Sequence, residues 1–191
     1  MSSPSSPRSR SSRTSEPTTR PSCPSHLAIF PTASRTERTD VRPDLTFVAH
    51  LSVTVGEPID LGQVSDGHRR LVPILGGTVD GPVIRGRVLA GGADHQVLRS
   101  ATVTELDARY ALETDTGERI SVHNVGVRTG SEQDIDALTR GEQVPADRIY
   151  FRTFPRLSTS ADSLSWMNGT LFVATGERLP NSVELDVYQL T

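Results

Sequence analysis

Lysine is absent from this chain, and all 20 basic residues are arginine. That removes a lysine Schiff base or a lysine general base from any mechanism. Cysteine occurs once, as Cys23, so one chain holds neither a disulfide framework nor a cysteine-based metal site. Nothing around Cys23 suggests an activated thiolate. Long apolar runs are missing too: none approaches the ~20 residues of a membrane span. The apolar run Leu27 to Phe30 is too short for the core of a signal peptide, so a cytoplasmic location is expected. The net charge is only -3 and the pI about 5.9, which gives no electrostatic reason to expect nucleic acid or membrane as a partner. The histidines His26, His50, His68, His95 and His123 have no tight ligand spacing and form no His-x-His pair. No metal is expected on that basis. A Gly-x-Ser-x-Gly elbow is lacking. The glycine-rich stretch Gly76 to Gly81 leads into a hairpin instead of a helix, so it cannot seat a phosphate on a helix N-terminus. No cofactor is expected.

Two regions of unlike composition are present. Residues 1–43 are rich in serine, proline, threonine and arginine, with little aliphatic content to offset ordering entropy, and are expected to be a disordered tail. A start site assigned too far upstream is the rival explanation. Aromatic side chains do not alternate with the tail arginines, so a solvated tail is favoured over a nucleic-acid contact. From residue 44 to 191 the pattern is that of one domain. Leu45, Phe47, Ala49, Leu51, Val53 and Val55 alternate with polar residues, the period of a half-buried strand. Further strands are expected near 70–78, 82–89, 102–113, 118–126, 148–155, 166–174 and 182–190. Val79-Asp80-Gly81-Pro82 and Asp115-Thr116-Gly117-Glu118 carry hairpin chemistry. One helix is expected over 131–140, with Ser131 as its cap and Ile135 and Leu138 on one face. Many strands with one short helix give an all-β fold. The expectation is a single antiparallel β-barrel of about eight or nine strands, because closure removes sheet edges.

Four stretches, in order, add a resemblance. They are Gly86-Arg87-Val88-Leu89-Ala90-Gly91-Gly92-Ala93-Asp94, Asp107-Ala108-Arg109-Tyr110 through Asp115 and Gly117, Tyr150-Phe151-Arg152-Thr153-Phe154-Pro155, and Trp166-Met167-Asn168 with Leu171-Phe172-Val173. From about residue 44 onward the chain resembles the DUF3237 (UPF0311) family. The resemblance implies a compact β-barrel found in bacteria and fungi. Ala90 stands where that family usually has proline, and His95 where it usually has an aromatic residue, often tryptophan. If that loop rims a pocket, the ligand differs from those of relatives.

Candidate site residues come from polar positions among apolar ones. On the strand 102–113, Leu106, Ala108, Tyr110 and Leu112 share a face, and Glu105, Asp107 and Arg109 share the other. The charged face is either solvated, with Arg109 paired to a flanking carboxylate, or lines a cavity where Arg109 binds a carboxylate or enolate. Arg152 lies between Tyr150 and Phe154, either stacked on them or facing Arg109 across a cavity. Asp94 and His95 follow two glycines, either in a turn capped by Asp94 or as a proton-moving pair at a pocket mouth. His123 reads as a satisfied strand residue, opposite a face shared by Ile120, Val122 and Asn124. Asn168 shares an aromatic face with Trp166 and Phe172, as a pocket donor would.

These residues support a cofactor-free lyase, isomerase or cyclase acting on a small organic acid or phenolic compound. Asp94, His95 and Arg109 would be catalytic; Arg152, Asn168, Trp166 and Tyr110 would bind the ligand. A non-catalytic carrier of such a ligand, or a structural or interaction module, are the alternatives, and a homo-oligomer is left open.

Overall fold

The computed structural model describes residues 42–191. Expectations placed on residues 1–41, Cys23 among them, lie outside the described residues. Ten strands form one sheet: β1 (Leu45–Val55), β2 (Ile59–Val64), β3 (Gly67–Asp80), β4 (Gly86–Val88), β5 (Gly92–Ser100), β6 (Val103–Thr114), β7 (Arg119–Thr129), β8 (Tyr150–Thr159), β9 (Phe172–Arg178) and β10 (Ser182–Leu190). All pairings are antiparallel. The order β1-β10-β9-β8-β7-β6-β5-β3 returns to β1, so eight strands close into a barrel. β2 and β4 are additions: β2 flanks β3, and β4 fills the space between β3 and β6. Closure leaves the barrel strands without a free edge.

β3 makes closure possible. Its first half pairs with β2 and β5, and its second with β1 and β4. The change of partners occurs around Gly76 and Gly77, whose φ values are 143° and 141°. A Cβ on Gly77 would stand 2.1 Å from the Ser52 carbonyl oxygen, so only glycine lets β3 pass this close to β1.

Strand periodicity decides which face is buried. In β1, Ala49, Leu51, Val53 and Val55 are buried while Thr54 is exposed. The turn Asp115 to Glu118 joins β6 to β7 as its composition requires, with Gly117 at φ 92°. The α-helix α1 (Glu132–Thr139) starts at Ser131, whose Oγ accepts from the Asp134 amide at 3.1 Å, and it buries Ile135 and Leu138.

Three departures from the expected pattern have physical causes. β2 has no buried residue because it pairs only with β3 and lies outside the barrel, so alternation does not reveal it. β5 puts Asp94 and Gln96 on the inward face, where apolar residues would have marked a strand. Asp94 and His95 are thus strand residues, not turn residues. The strand expected over 166–174 begins only at Phe172. Asp162–Gly169 is a 3-10 helix that drives Met167, fully buried, into the core.

The barrel has two unlike halves. Toward the end where β8 stops, Leu51, Ile84, Leu112, Val122, Leu157, Leu185 and Val187 fill the interior and leave only about 10 Å³. Toward the end where β7 and β9 stop, the lining turns polar.

Candidate functional site

The polar half is built from side chains that strand period two turns inward at one end of the barrel. β5 supplies Asp94 and Gln96, β6 Tyr110, β7 Asn124 and Arg128, β8 Thr153, and β9 Arg178. Val53, Val55, Val72, Ile74, Leu106 and Phe151 complete the wall. They enclose a cavity of about 40 Å³. An outer chamber of about 210 Å³ adjoins it, sharing Val55, Val72, Gln96, Arg128 and Arg178 and adding Arg70. The rim is made by Glu57 and Pro58, by Pro180 and Asn181, and by the C-terminal end of α1 from Leu138 to Gly141.

A hydrogen-bonded chain crosses this wall. Arg70 donates to Gln96 Oε1 at 2.8 Å, and Gln96 Nε2 donates to Asp94 Oδ2 at 2.7 Å. The Asp107 amide donates to Asp94 Oδ1 at 3.1 Å. Burial pushes the Asp94 carboxyl above the ordinary carboxylate range, against the pull of Gln96, Arg128 and the Asp107 amide. Tyr110, which faces Asp94, is held strongly toward its neutral phenol by burial and by that carboxylate.

The arginines are less well served. Arg128 is 2% exposed, and its buried Nε has no hydrogen-bond partner among the described residues. Its partner is the Phe151 ring, 5.9 Å from centroid to Cζ. Burial, with Arg70 and Arg178 nearby, lowers its pKa to about 10. Arg178 donates to the carbonyl oxygens of Leu179 and Ser182. The Nε atoms of Arg70 and Arg128, Tyr110 Oη, Thr153 Oγ1 and Asn124 Oδ1 are buried without a partner. Polar groups in that state are uncommon in folded proteins and cost stability.

Of the residues singled out in the sequence, the structure brings together Asp94 and Tyr110. The others do not meet in one chamber, and the expectation that they would is corrected here. His95 alternates with Asp94 and faces outward. Arg109 is exposed on the outer face of β6, where its Nε pairs with Asp107 Oδ1 at 3.3 Å; His123 shares that oxygen at 2.8 Å. The face holding Glu105, Asp107 and Arg109 is therefore the solvated one. Arg152 is outward, over the Tyr150 ring at 5.2 Å, and donates to the Phe151 carbonyl. Asn168 clamps the Thr159 backbone, accepting from its amide and donating to its carbonyl, both at 2.9 Å. Trp166 rests on Phe172 at 5.9 Å, at the plugged end.

Arg70, Gln96, Asn124, Arg128, Thr153 and Arg178 were missed. Three carried a readable signal. Asn124 and Arg128 continue the inward series Ile120, Val122, and Arg178 continues Phe172, Ala174, Gly176.

A larger groove of about 990 Å³ runs along the outer face beside His50, Arg152, Glu184 and Asp186. Within it His50 bonds Asp186 at 2.8 Å and Glu184 at 3.0 Å. The unpartnered groups lie inside the barrel. Among the described residues, no group of three or more histidine, cysteine, aspartate and glutamate side chains could hold a metal, and no helix is long and apolar enough to cross a membrane.

Residues 43–190 match the family described as a protein of unknown function, DUF3237. A UPF0311 protein of Rhodopseudomonas palustris is 41% identical over 144 residues, which is 75% of this chain and 94% of the relative. A crystal structure of a protein from that organism aligns with a TM-score of 0.74 at 39% identity, covering 78% of this chain and 98% of the other. A β-barrel-like protein of Acinetobacter baumannii aligns with a TM-score of 0.69 at 37% identity, covering 78% and 97%. A protein of Penicillium herquei described as an enzyme aligns with a TM-score of 0.58, covering 78% and 95%; at 19% identity it shows shared fold alone.

Proposed function

The chain belongs to the DUF3237 family of proteins of unknown function, and from that premise we propose that it binds a small organic molecule in the polar half of its barrel and moves a proton on it. The observation that carries the reading is that, of the six buried side-chain polar atoms without partners among the described residues, those of Tyr110, Asn124, Arg128 and Thr153 line one cavity. A scaffold needs no such lining, because the other half of the same barrel is plugged with aliphatic side chains.

Asp94 is the proton carrier in this reading. Each of its carboxylate oxygens accepts one hydrogen bond and keeps lone-pair capacity. Its raised pKa brings it nearer to neutral pH, where acid–base catalysis is most effective. Asp94 takes a proton from a carbon next to a carbonyl. The electron pair moves to the carbonyl oxygen, which faces the arginines, and the proton returns to a neighbouring atom. The net change is an isomerisation; when a leaving group stands on the next carbon, the enolate pair instead expels it with its bonding electrons, the proton on Asp94 passes to it, and the net change is an elimination. Tyr110 stays protonated and orients the substrate. No cofactor takes part, and the cytoplasmic setting expected from the sequence is kept.

Asp94→Asn tests the assignment. The expected outcome is ligand affinity within about threefold of the parent and turnover lower by about 10²–10⁴-fold. Unchanged turnover would remove Asp94 from the chemistry. Binding without turnover in the parent protein would leave a carrier.

A further inference from the structure

We propose that the molecule held in the barrel is a small hydroxylated carboxylic acid, its carboxylate seated on Arg128 between Arg70 and Arg178 and its hydroxyl turned to Asn124, Tyr110 and Thr153. The inference rests on the binding reading above and names its chemistry.

The charge count comes first. Arg70, Arg128 and Arg178 line the cavity and the outer chamber, against two carboxylates, Asp94 in the cavity and Glu57 in the wall of the chamber. Glu57 acts on Arg178, and Asp60, outside the chamber, on Arg70, but neither hydrogen-bonds to an arginine there. Arg140, also at the rim, is already paired with Asp136 and Glu142. Buried charges are ordinarily paired, and Arg128 pairs with no carboxylate, carbonyl or hydroxyl among the described residues. A planar guanidinium with its N–H groups free, flanked by two more, is a receptor for an oxyanion.

The neutral groups then narrow the class. Deeper than the arginines lie the Asn124 amide, the Tyr110 hydroxyl and the Thr153 hydroxyl, each with a buried atom that lacks a partner. An amide oxygen asks for a donor, and two hydroxyls serve either role. A ligand hydroxyl beyond the carboxylate satisfies all of them. A bare hydrocarbon acid would leave them unmet, at the cost that unpaired buried polar groups carry. The apolar wall of Val53, Ile74, Leu106 and Phe151 takes the remaining carbon skeleton. The outer chamber, about 210 Å³, is below the ~300–1,000 Å³ of sites for drug-sized ligands, which keeps the acid small.

The test titrates the full chain with mandelate, phenylacetate, benzyl alcohol and phenyl phosphate, by calorimetry and by chemical-shift mapping. The parent is compared with Arg128→Met and Arg178→Met, each first checked for a cooperative melt. Mandelate is expected to bind best, phenylacetate about threefold to tenfold more weakly, and benzyl alcohol at least tenfold more weakly than mandelate. Arg128→Met is expected to weaken mandelate at least tenfold and to leave benzyl alcohol unchanged. Should Arg128→Met not fold, Arg178→Met at the rim carries the same expectation. Arg109→Gln on the outer face is expected to change nothing. Benzyl alcohol equal to mandelate, or mandelate binding that survives the arginine variants, would overturn the acid inference while the barrel remained a binding site. Phenyl phosphate tenfold tighter than mandelate would replace carboxylate by phosphate and overturn it as well. Chamber residues undisturbed by all four probes would overturn both this inference and the binding reading.

Discussion

Arg128 shows how a single residue can be costly for the fold and useful to the site. Its guanidinium lost water on folding and gained one aromatic face, worth up to about 2 kcal/mol when desolvated, against a larger penalty for a buried charge. Arg128→Met keeps a long side chain and removes the charge. Denaturant unfolding of that variant is expected to show a gain of about 1–3 kcal/mol. A loss of similar size would mean that Arg128 is satisfied within the fold and not held for a ligand. On the outer surface His50 behaves oppositely. The Asp186 carboxylate, and behind it Glu184, hold its imidazole above the ordinary 6.5 although partial burial pulls the other way. A folded-state pKa above the unfolded one stabilises fully below about pH 6.5. The benefit is lost as pH rises through the folded value. His50→Gln is expected to cost about 0.2–1 kcal/mol near pH 5.5 and almost nothing near pH 8.5, since the pair is partly exposed. Equal losses at both pH values would show that packing, not charge, is what His50 supplies.

At the scale of elements, the strands that were legible are those whose inward face is apolar. β1 alternates as expected from Ala49 to Val55, although an irregularity at Val48 leaves Leu45 and Phe47 exposed, and β6 reads correctly through Leu106, Ala108, Tyr110 and Leu112. Helix α1 declared itself by Ser131 and by the spacing of Ile135 and Leu138. β5 was illegible for the same reason that it matters: Asp94 and Gln96 occupy the positions where aliphatic residues would have marked a strand. The site reading inherited that blindness. Arg109 and Arg152 stood out as charges on recognisable strands, yet a charge at an outward position is only a solvated charge. Asn124 and Arg128, on the inward series of β7, were the better candidates. The glycine pair in β3 was read only as leading into a hairpin, which β3 and β4 form; it is also the close crossing with β1. Gly77→Ala is expected to destabilise the fold by at least about 2 kcal/mol, because it adds a clash to a backbone angle that alanine rarely adopts. A thermal melt within a degree or two of the parent would refute that account of the crossing.

For the molecule as a whole, one closed sheet serves two purposes at its two ends. Aliphatic packing in the plugged half, with Met167 inserted from the 3-10 helix, fixes the barrel. That stability lets the other half carry polar groups the fold does not satisfy. The central claim is that these groups are satisfied by a bound acid. Nitrogen-15 NMR of the arginine Nε sites, recorded on the full chain during a mandelate titration, tests it most directly. The account predicts saturable shifts at Arg128 and Arg70, with Arg109 and Arg152 unmoved. Shifts confined to Arg109, Arg152 or other outward arginines, or none at any concentration up to tens of millimolar, would contradict it.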